Sequence, residues 1–146
     1  MQHKLVTFIG GGNMAQAIVF SLLKRGYPAD KIIVCDPNEK KRALFAPKGV
    51  RTATDNVTAA MQADVVLLAV KPQMLAAVCV PLRAVDFQAK LVISIAAGIS
   101  LARLTALSGV IYPHSASMAF ILMALVAAVA FVVTPRKVGA FLVKQG

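Results

Sequence analysis

Six consecutive residues near the N-terminus, Gly10-Gly11-Gly12-Asn13-Met14-Ala15, put small side chains at the first, third and sixth positions of a GxGxx(G/A) pattern. At the first position glycine permits a tight turn; at the third it lets the backbone approach a pyrophosphate; at the sixth alanine lets a helix pack close to a strand. A helix starting there presents unpaired N–H groups and the positive end of its dipole to an anion. The glycine pattern alone also serves as a plain structural turn, so its meaning depends on what flanks it. About 20 residues on, Asp36 stands where an acid can accept a hydrogen bond from an adenosine ribose 2′-OH, the contact that favours NAD(H). Asp36-Pro37-Asn38 is also a good β-turn by itself, and Lys40, Lys41 and Arg42 follow closely enough to attract a 2′-phosphate. The acid and the bases point to opposite cofactors; the bases tilt the reading to NADP(H), with NAD(H) the alternative.

The elements that must position these residues alternate along the chain. Residues 5–9 form a short apolar run with β-prone residues, stopped by the glycines, as expected of a buried parallel strand. Residues 13–25 carry apolar positions at helical spacing, with Lys24 and Arg25 in the last turn and Gly26 as a natural stop. A second strand is predicted over 31–35, a short polar helix over 39–45 and a weaker third strand over 49–54. Asp55-Asn56 offers N-cap chemistry for a helix over 57–62. Residues 64–70 are the strongest buried-strand run; Lys71-Pro72 ends it and 73–80 resumes a helical pattern. A linker over 81–90 leads to a fifth strand at 91–95, a turn at 96–98 and a helix capped by Ser100 through 107. Strands alternating with helices argue an α/β fold with a doubly wound parallel sheet. With strand, glycine loop and helix in sequence inside such a unit, the glycine loop reads as a dinucleotide site.

Length and composition bound the rest. The 146 residues suit one domain, and 58% hydrophobic with 15% charged excludes a disordered or purely solvated chain. The formal charge of +10 invites nucleic acid, phosphate ligands or an anionic surface. Basic residues fall in the helices and turns of an α/β pattern without interleaved aromatics, so no specific nucleic acid is expected. Cys35 and Cys79 form no CxxC and no cluster with His3 or His114, which indicates neither a disulfide framework nor a metal site. They read as small buried hydrophobes in a reducing cytoplasm, and His114 as a solvated loop residue. The short N-terminal run is too brief for an export signal.

Three stretches in order and spacing, Phe8-Ile9-Gly10-Gly11-Gly12-Asn13-Met14-Ala15, Ala69-Val70-Lys71-Pro72-Gln73 and Ser94-Ile95-Ala96-Ala97-Gly98-Ile99-Ser100, resemble the N-terminal domain of pyrroline-5-carboxylate reductase. The resemblance covers residues 4 to about 107. It implies a Rossmann-type domain over 1–107 that binds NADP(H) or NAD(H), and a homo-oligomeric enzyme that delivers hydride to the C=N carbon of 1-pyrroline-5-carboxylate, giving L-proline. Carried over by position, Gly10, Gly11, Gly12, Asn13, Met14 and Ala15 would hold the pyrophosphate. Asp36 and Pro37 would flank the adenosine ribose, and Asn56 would touch the adenosine end. Ala69, Val70, Lys71 and Pro72 would line the nicotinamide ribose, with Ala97 and Gly98 opposite. Lys71 reads as a ribose-positioning or solvated lysine, since hydride chemistry belongs to the cofactor. No residue is identified as catalytic.

Residues 108–146 depart from the family. Residues 101–146 carry four lysines and arginines and no acid, against twelve and all six acids before them. Residues 109–117 occupy the place of the family's RxMPNTP-like stretch without matching it, as a spliced or out-of-frame ending would. The helical domain that dimerises and builds the substrate pocket has no counterpart, so a truncated chain, inactive on its own, is expected. Residues 118–133 are sixteen uninterrupted apolar residues, read as a helix about 24 Å long, short of a roughly 30 Å hydrocarbon core. Packing against the domain, a non-native tail and membrane attachment remain open for it. The functional alternatives are a non-catalytic dinucleotide-binding module and a membrane-attached nucleotide-binding protein.

Overall fold

The computed structural model describes residues 3–95 and the backbone of 120–122. Strands β1 (Val6–Ile9), β2 (Ile32–Cys35), β3 (Arg51–Ala53), β4 (Val65–Leu68), β5 (Leu91–Ser94) and β6 (Phe120–Leu122) form one sheet in the order β3-β2-β1-β4-β5-β6. All five pairings are parallel. Every residue of β1, β2 and β4 is buried, as continuous apolar runs must be when helices cover both faces of the sheet.

The two faces hold two cores. Helix α1 (Asn13–Lys24) lays Ala15, Ile18, Val19 and Leu22 on one face, where they meet Val6, Phe8, Ile32, Val34 and Leu67. Phe45, which follows the four-residue helix α2 (Glu39–Arg42), packs into the same cluster and is fully buried. On the other face, α3 (Asn56–Gln62) and α4 (Leu75–Cys79) bury Ala59, Ala60, Leu75 and Cys79 against Ile9, Ile33, Cys35, Val66 and Leu68. Ala59 and Ala60 let α3 sit close to the sheet. The one polar side chain inside β1, Thr7, donates through Oγ1 to the Ala59 carbonyl at 2.9 Å and so is satisfied.

Several expected elements are trimmed and one changes type. The third strand is confined to Arg51–Ala53, and the polar helix after β2 to Glu39–Arg42. The helix expected from residue 73 is split, because Pro72 opens a 3₁₀ turn (Pro72–Met74) before α4 begins. β4 stops at Leu68, so Ala69 and Val70 leave the sheet instead of extending it. The helix expected over 118–133 is corrected where it can be seen: Phe120–Leu122 is the edge strand β6, with Val92↔Phe120, Ile93↔Ile121 and Ser94↔Leu122 in register. The outer edge of β5 offers a row of backbone donors and acceptors, and pairing to it overrides local helical preference. The predicted turn at 96–98, the helix to 107, His114 and the rest of the tail lie outside the described residues. Among the described residues no helix is long and apolar enough to cross a membrane, and no group of three or more His, Cys, Asp or Glu could hold a metal.

Burial leaves both thiols protonated, pushed up to about 11 for Cys35 and for Cys79. Asp55 caps α3, accepting from the N–H groups of Val57 and Thr58 and from the Thr58 hydroxyl. The Thr58 hydroxyl and N–H hold its carboxyl below the usual value. A lowered native value means that this contribution is present above the ordinary carboxylate range and is lost as pH falls through the native one. Asp55→Ala therefore lowers the thermal midpoint at pH 7, and the gap from wild type closes in acid; a gap that persists at low pH refutes the cap's ionic character. Gly10 has φ of +106°, and a Cβ there would lie 2.5 Å from the Ala69 carbonyl oxygen. Gly10→Ala is expected to cost about 2–4 kcal/mol, read by urea unfolding.

Candidate functional site

Register brings the site together. Ile9 pairs with Cys35 on one side and with Leu68 on the other, so β1, β2 and β4 end level. Gly10, Asp36 and Ala69 thus leave the sheet side by side, and one more hydrogen bond each continues the ladder. The Gly10 N–H donates to the Cys35 carbonyl at 2.8 Å, the Ala69 N–H to the Ile9 carbonyl at 2.8 Å, and the Asp36 N–H to the Ala53 carbonyl at 3.1 Å. The chain runs from β1 outward to β3 and then returns to β4 on the other side of β1. Above that switch of direction the loops diverge and leave a crevice, the usual ligand position in an open α/β sheet.

The crevice is a cavity of about 440 Å³ lined by Gly10, Gly12, Asp36, Pro37, Asn56, Ala69, Val70 and Lys71. Eight residues expected to form the site from sequence thus meet in one place. Gly11 and Ala15 are buried beneath the loop, Asn13 is exposed and Met14 half-buried on the first turn of α1, and Pro72 opens the following turn. Ala97 and Gly98 lie outside the described residues. Ile9, Cys35, Met74, Ala77 and Val78 line the cavity too. None of these was assigned to the site from the sequence. Met74, Ala77 and Val78 recur at three- and four-residue spacing, which marks a helical face but not what that face looks onto.

Gly12 is the N-cap of α1 and has no side-chain cap; a Cβ built on it meets nothing within 4 Å. With φ of −76° its backbone is open to any residue, so glycine here leaves space instead of relieving strain. The first N–H groups of α1 have no acceptor within the helix. Open space over a helix N-terminus, at the mouth of a cavity, is what a pyrophosphate requires.

Asp36 has a role that its place in the sequence does not reveal. It is only 5% exposed; Oδ2 accepts from the Gly11 N–H and Oδ1 from the Asn38 N–H, both at 2.8 Å. The carboxylate therefore ties the glycine loop to the turn after β2. Lys41 Nζ lies 3.7 Å from Oδ2, with the lysine side chain 46% exposed. Arg42 Nη1 donates to the carbonyls of Asp36 at 2.7 Å and Pro37 at 2.9 Å, which clamps the same turn from outside. Asn38 caps α2 by accepting from the Lys40 N–H at 2.9 Å. Lys71 is exposed at the opposite wall.

Comparison with known proteins agrees with this geometry. Residues 5–98 match the model of the family described as NADP oxidoreductase coenzyme F420-dependent. The chain is 69% identical over 107 residues to pyrroline-5-carboxylate reductase of Haemophilus influenzae, a match that covers 73% of this chain and 40% of the relative. A solved pyrroline-5-carboxylate reductase from Coxiella burnetii superposes with a TM-score of 0.69 at 40% identity, over 74% of this chain and 41% of that one. The Plasmodium falciparum pyrroline carboxylate reductase solved with NADP bound has the same fold, with a TM-score of 0.60 at 22% identity, over 73% and 38%. The chain spans about 40% of the length of the curated relatives it matches. From the level strand ends, the glycine loop and the match over residues 5–98, the chain belongs to the NADP oxidoreductase coenzyme F420-dependent family, and its matched part is similar to the N-terminal part of pyrroline-5-carboxylate reductases.

Proposed function

We propose that the chain binds NADP(H) in the cavity over β1, β2 and β4, as the cofactor-binding half of a reductase that converts 1-pyrroline-5-carboxylate to L-proline. One observation carries the reading: Gly10, Gly12, Asp36, Asn56, Val70 and Lys71, scattered over some 60 positions, line a single cavity at the switch point of the sheet. The reaction is that of the named relatives and comes to this chain by similarity. In this reading residues 1–107 are the dinucleotide-binding domain and 108–146 a separate segment that lends the sheet β6.

The residues present fit the cofactor. The space left by Gly12 and the first turn of α1, Asn13 to Ala15, takes the pyrophosphate, with Gly11 held in place from below by Asp36. Pro37 and Asn56 flank the adenosine end beside β2 and β3, while Ala69, Val70, Lys71 and Pro72 take the nicotinamide ribose at the β4 side. Ala97 and Gly98 would close the opposite wall. A bound nicotinamide supplies the hydride that adds to the imine carbon; the protein's part is to hold and aim it. The two buried free thiols suit a reducing compartment, and we place the chain in the cytoplasm.

The preference for NADP(H) over NAD(H) rests on how Asp36 is occupied. Each of its oxygens already accepts a backbone N–H, and at 5% exposure it offers little surface to the cavity it lines. Lys41, exposed, lining the cavity and only loosely paired with Asp36 at 3.7 Å, and Lys40 beside it bring positive charge to where a 2′-phosphate would sit. Lys41→Ala is expected to raise the Kd for NADPH about tenfold and leave that for NADH unchanged.

Titration of the chain with NADPH, followed by cofactor fluorescence, tests the main reading. Saturable binding that Gly12→Val weakens by about 10–100-fold is expected, since the new side chain fills the pyrophosphate space. Absence of binding in wild type would overturn the proposal. Adding 1-pyrroline-5-carboxylate then separates a working reductase, which oxidises the cofactor, from a non-catalytic dinucleotide-binding module, which does not.

A further inference from the structure

The side chain of Cys35 has no part in the site as described so far, although its carbonyl anchors Gly10. It closes β2, is 1% exposed and lines the cavity from beneath. Its Sγ donates to Asn56 Oδ1 at 3.0 Å. Burial, with the charges of Asp55 and Asp36 adding to it and Arg42 opposing, pushes the thiol up to about 11. At neutral pH the sulfur therefore keeps its proton and acts as a donor.

Asn56 carries one carbonyl and one NH2 on a planar amide, and what touches one end decides where the other points. Its backbone is set by position, as the first residue of α3 behind the Asp55 cap. Its carbonyl is taken by the thiol, so the NH2 is left for the cavity that Asn56 lines. An NH2 on the β2–β3 side of the crevice meets the adenosine half of a dinucleotide, whose ring nitrogens and ribose oxygens are acceptors.

From this juxtaposition we propose that Cys35 is a positioning residue for cofactor binding: its thiol holds the Asn56 amide so that the NH2 faces the cavity and donates to the adenosine half of the ligand. The inference rests on the dinucleotide reading above. Without the thiol, the amide turns freely and offers its carbonyl to the ligand as often as its donors. Serine keeps a donor at the same place; alanine does not.

Calorimetric titration of the full chain with ADP, NMN and NADPH tests it on wild type, Cys35→Ala, Cys35→Ser, Asn56→Ala and the Cys35→Ala/Asn56→Ala pair. Cys35→Ala is expected to raise the Kd for ADP and NADPH about three- to tenfold, with NMN unchanged. Cys35→Ser stays within about twofold of wild type, and Cys35→Ala adds nothing further once Asn56 is alanine. Asn56→Asp keeps an acceptor for the thiol but removes the NH2, and loses ADP affinity even where Cys35→Ala fails to fold. Wild-type ADP affinity in Cys35→Ala or in Asn56→Asp overturns the proposal. So does an equal loss in Cys35→Ser, or a Cys35→Ala effect undiminished beside Asn56→Ala, since both are the marks of packing alone. Failure of wild type to bind NADPH would instead remove the dinucleotide reading, and this inference with it.

Discussion

A buried carboxylate holds the site of this protein together. Asp36 is 5% exposed and sits where a charge without partners would be costly, yet it accepts two backbone N–H groups at 2.8 Å, from Gly11 and Asn38. Hydrogen bonds to an ionised acceptor are stronger than neutral ones and offset the desolvation. The geometric result is that two loops following different strands are tied at one point. The glycine loop cannot move without the turn after β2, and that turn is clamped in addition by Arg42.

That tie works because the sheet delivers both loops at the same height. Level ends of β1, β2 and β4 follow from the pairing of Ile9 with both Cys35 and Leu68. In a parallel sheet whose strands are buried on both faces, a slip of one residue would exchange the two cores, so packing pins the register strongly. Phe8 on one side and Ile9 on the other are almost wholly buried, and the two would have to change places. The hydrophobic cores thus set the positions of polar groups that take no part in them.

The same logic divides labour among small residues. Gly10 is required by conformation and by crowding, with the Ala69 carbonyl in the place of its missing Cβ, whereas Gly12 is required only by the space it leaves. Asp55 and Cys35 act on one neighbour from two sides: the first caps the helix that begins at Asn56, the second holds the Asn56 amide. The cavity wall is therefore supported by groups buried or set back from it, which is how a rigid site is made ready for a ligand before the ligand arrives.

Pro37, Asn56, Ala69, Val70 and Lys71 of the cavity were assigned by family resemblance; the sequence by itself determined the alternation of strands and helices, the parallel sheet and the glycine loop. These are local properties: a buried strand is a short apolar run, a helix repeats every 3.6 residues, and a glycine loop is contiguous. The cap of α3 at Asp55 and the thiols as small buried groups were legible for the same reason. Only the tertiary structure decided that Asp36 grips Gly11, that Cys35 meets Asn56, and that Met74, just ahead of α4, and Val78 on it line the site. The partners in the first two cases lie 25 and 21 positions apart. Which of them meet depends on strand register and on which side of the sheet each crossover packs, and no periodicity along the chain encodes that. Phe120–Leu122 makes the point from the other direction: an apolar run reads equally as helix or strand, and the outer edge of β5 settled it.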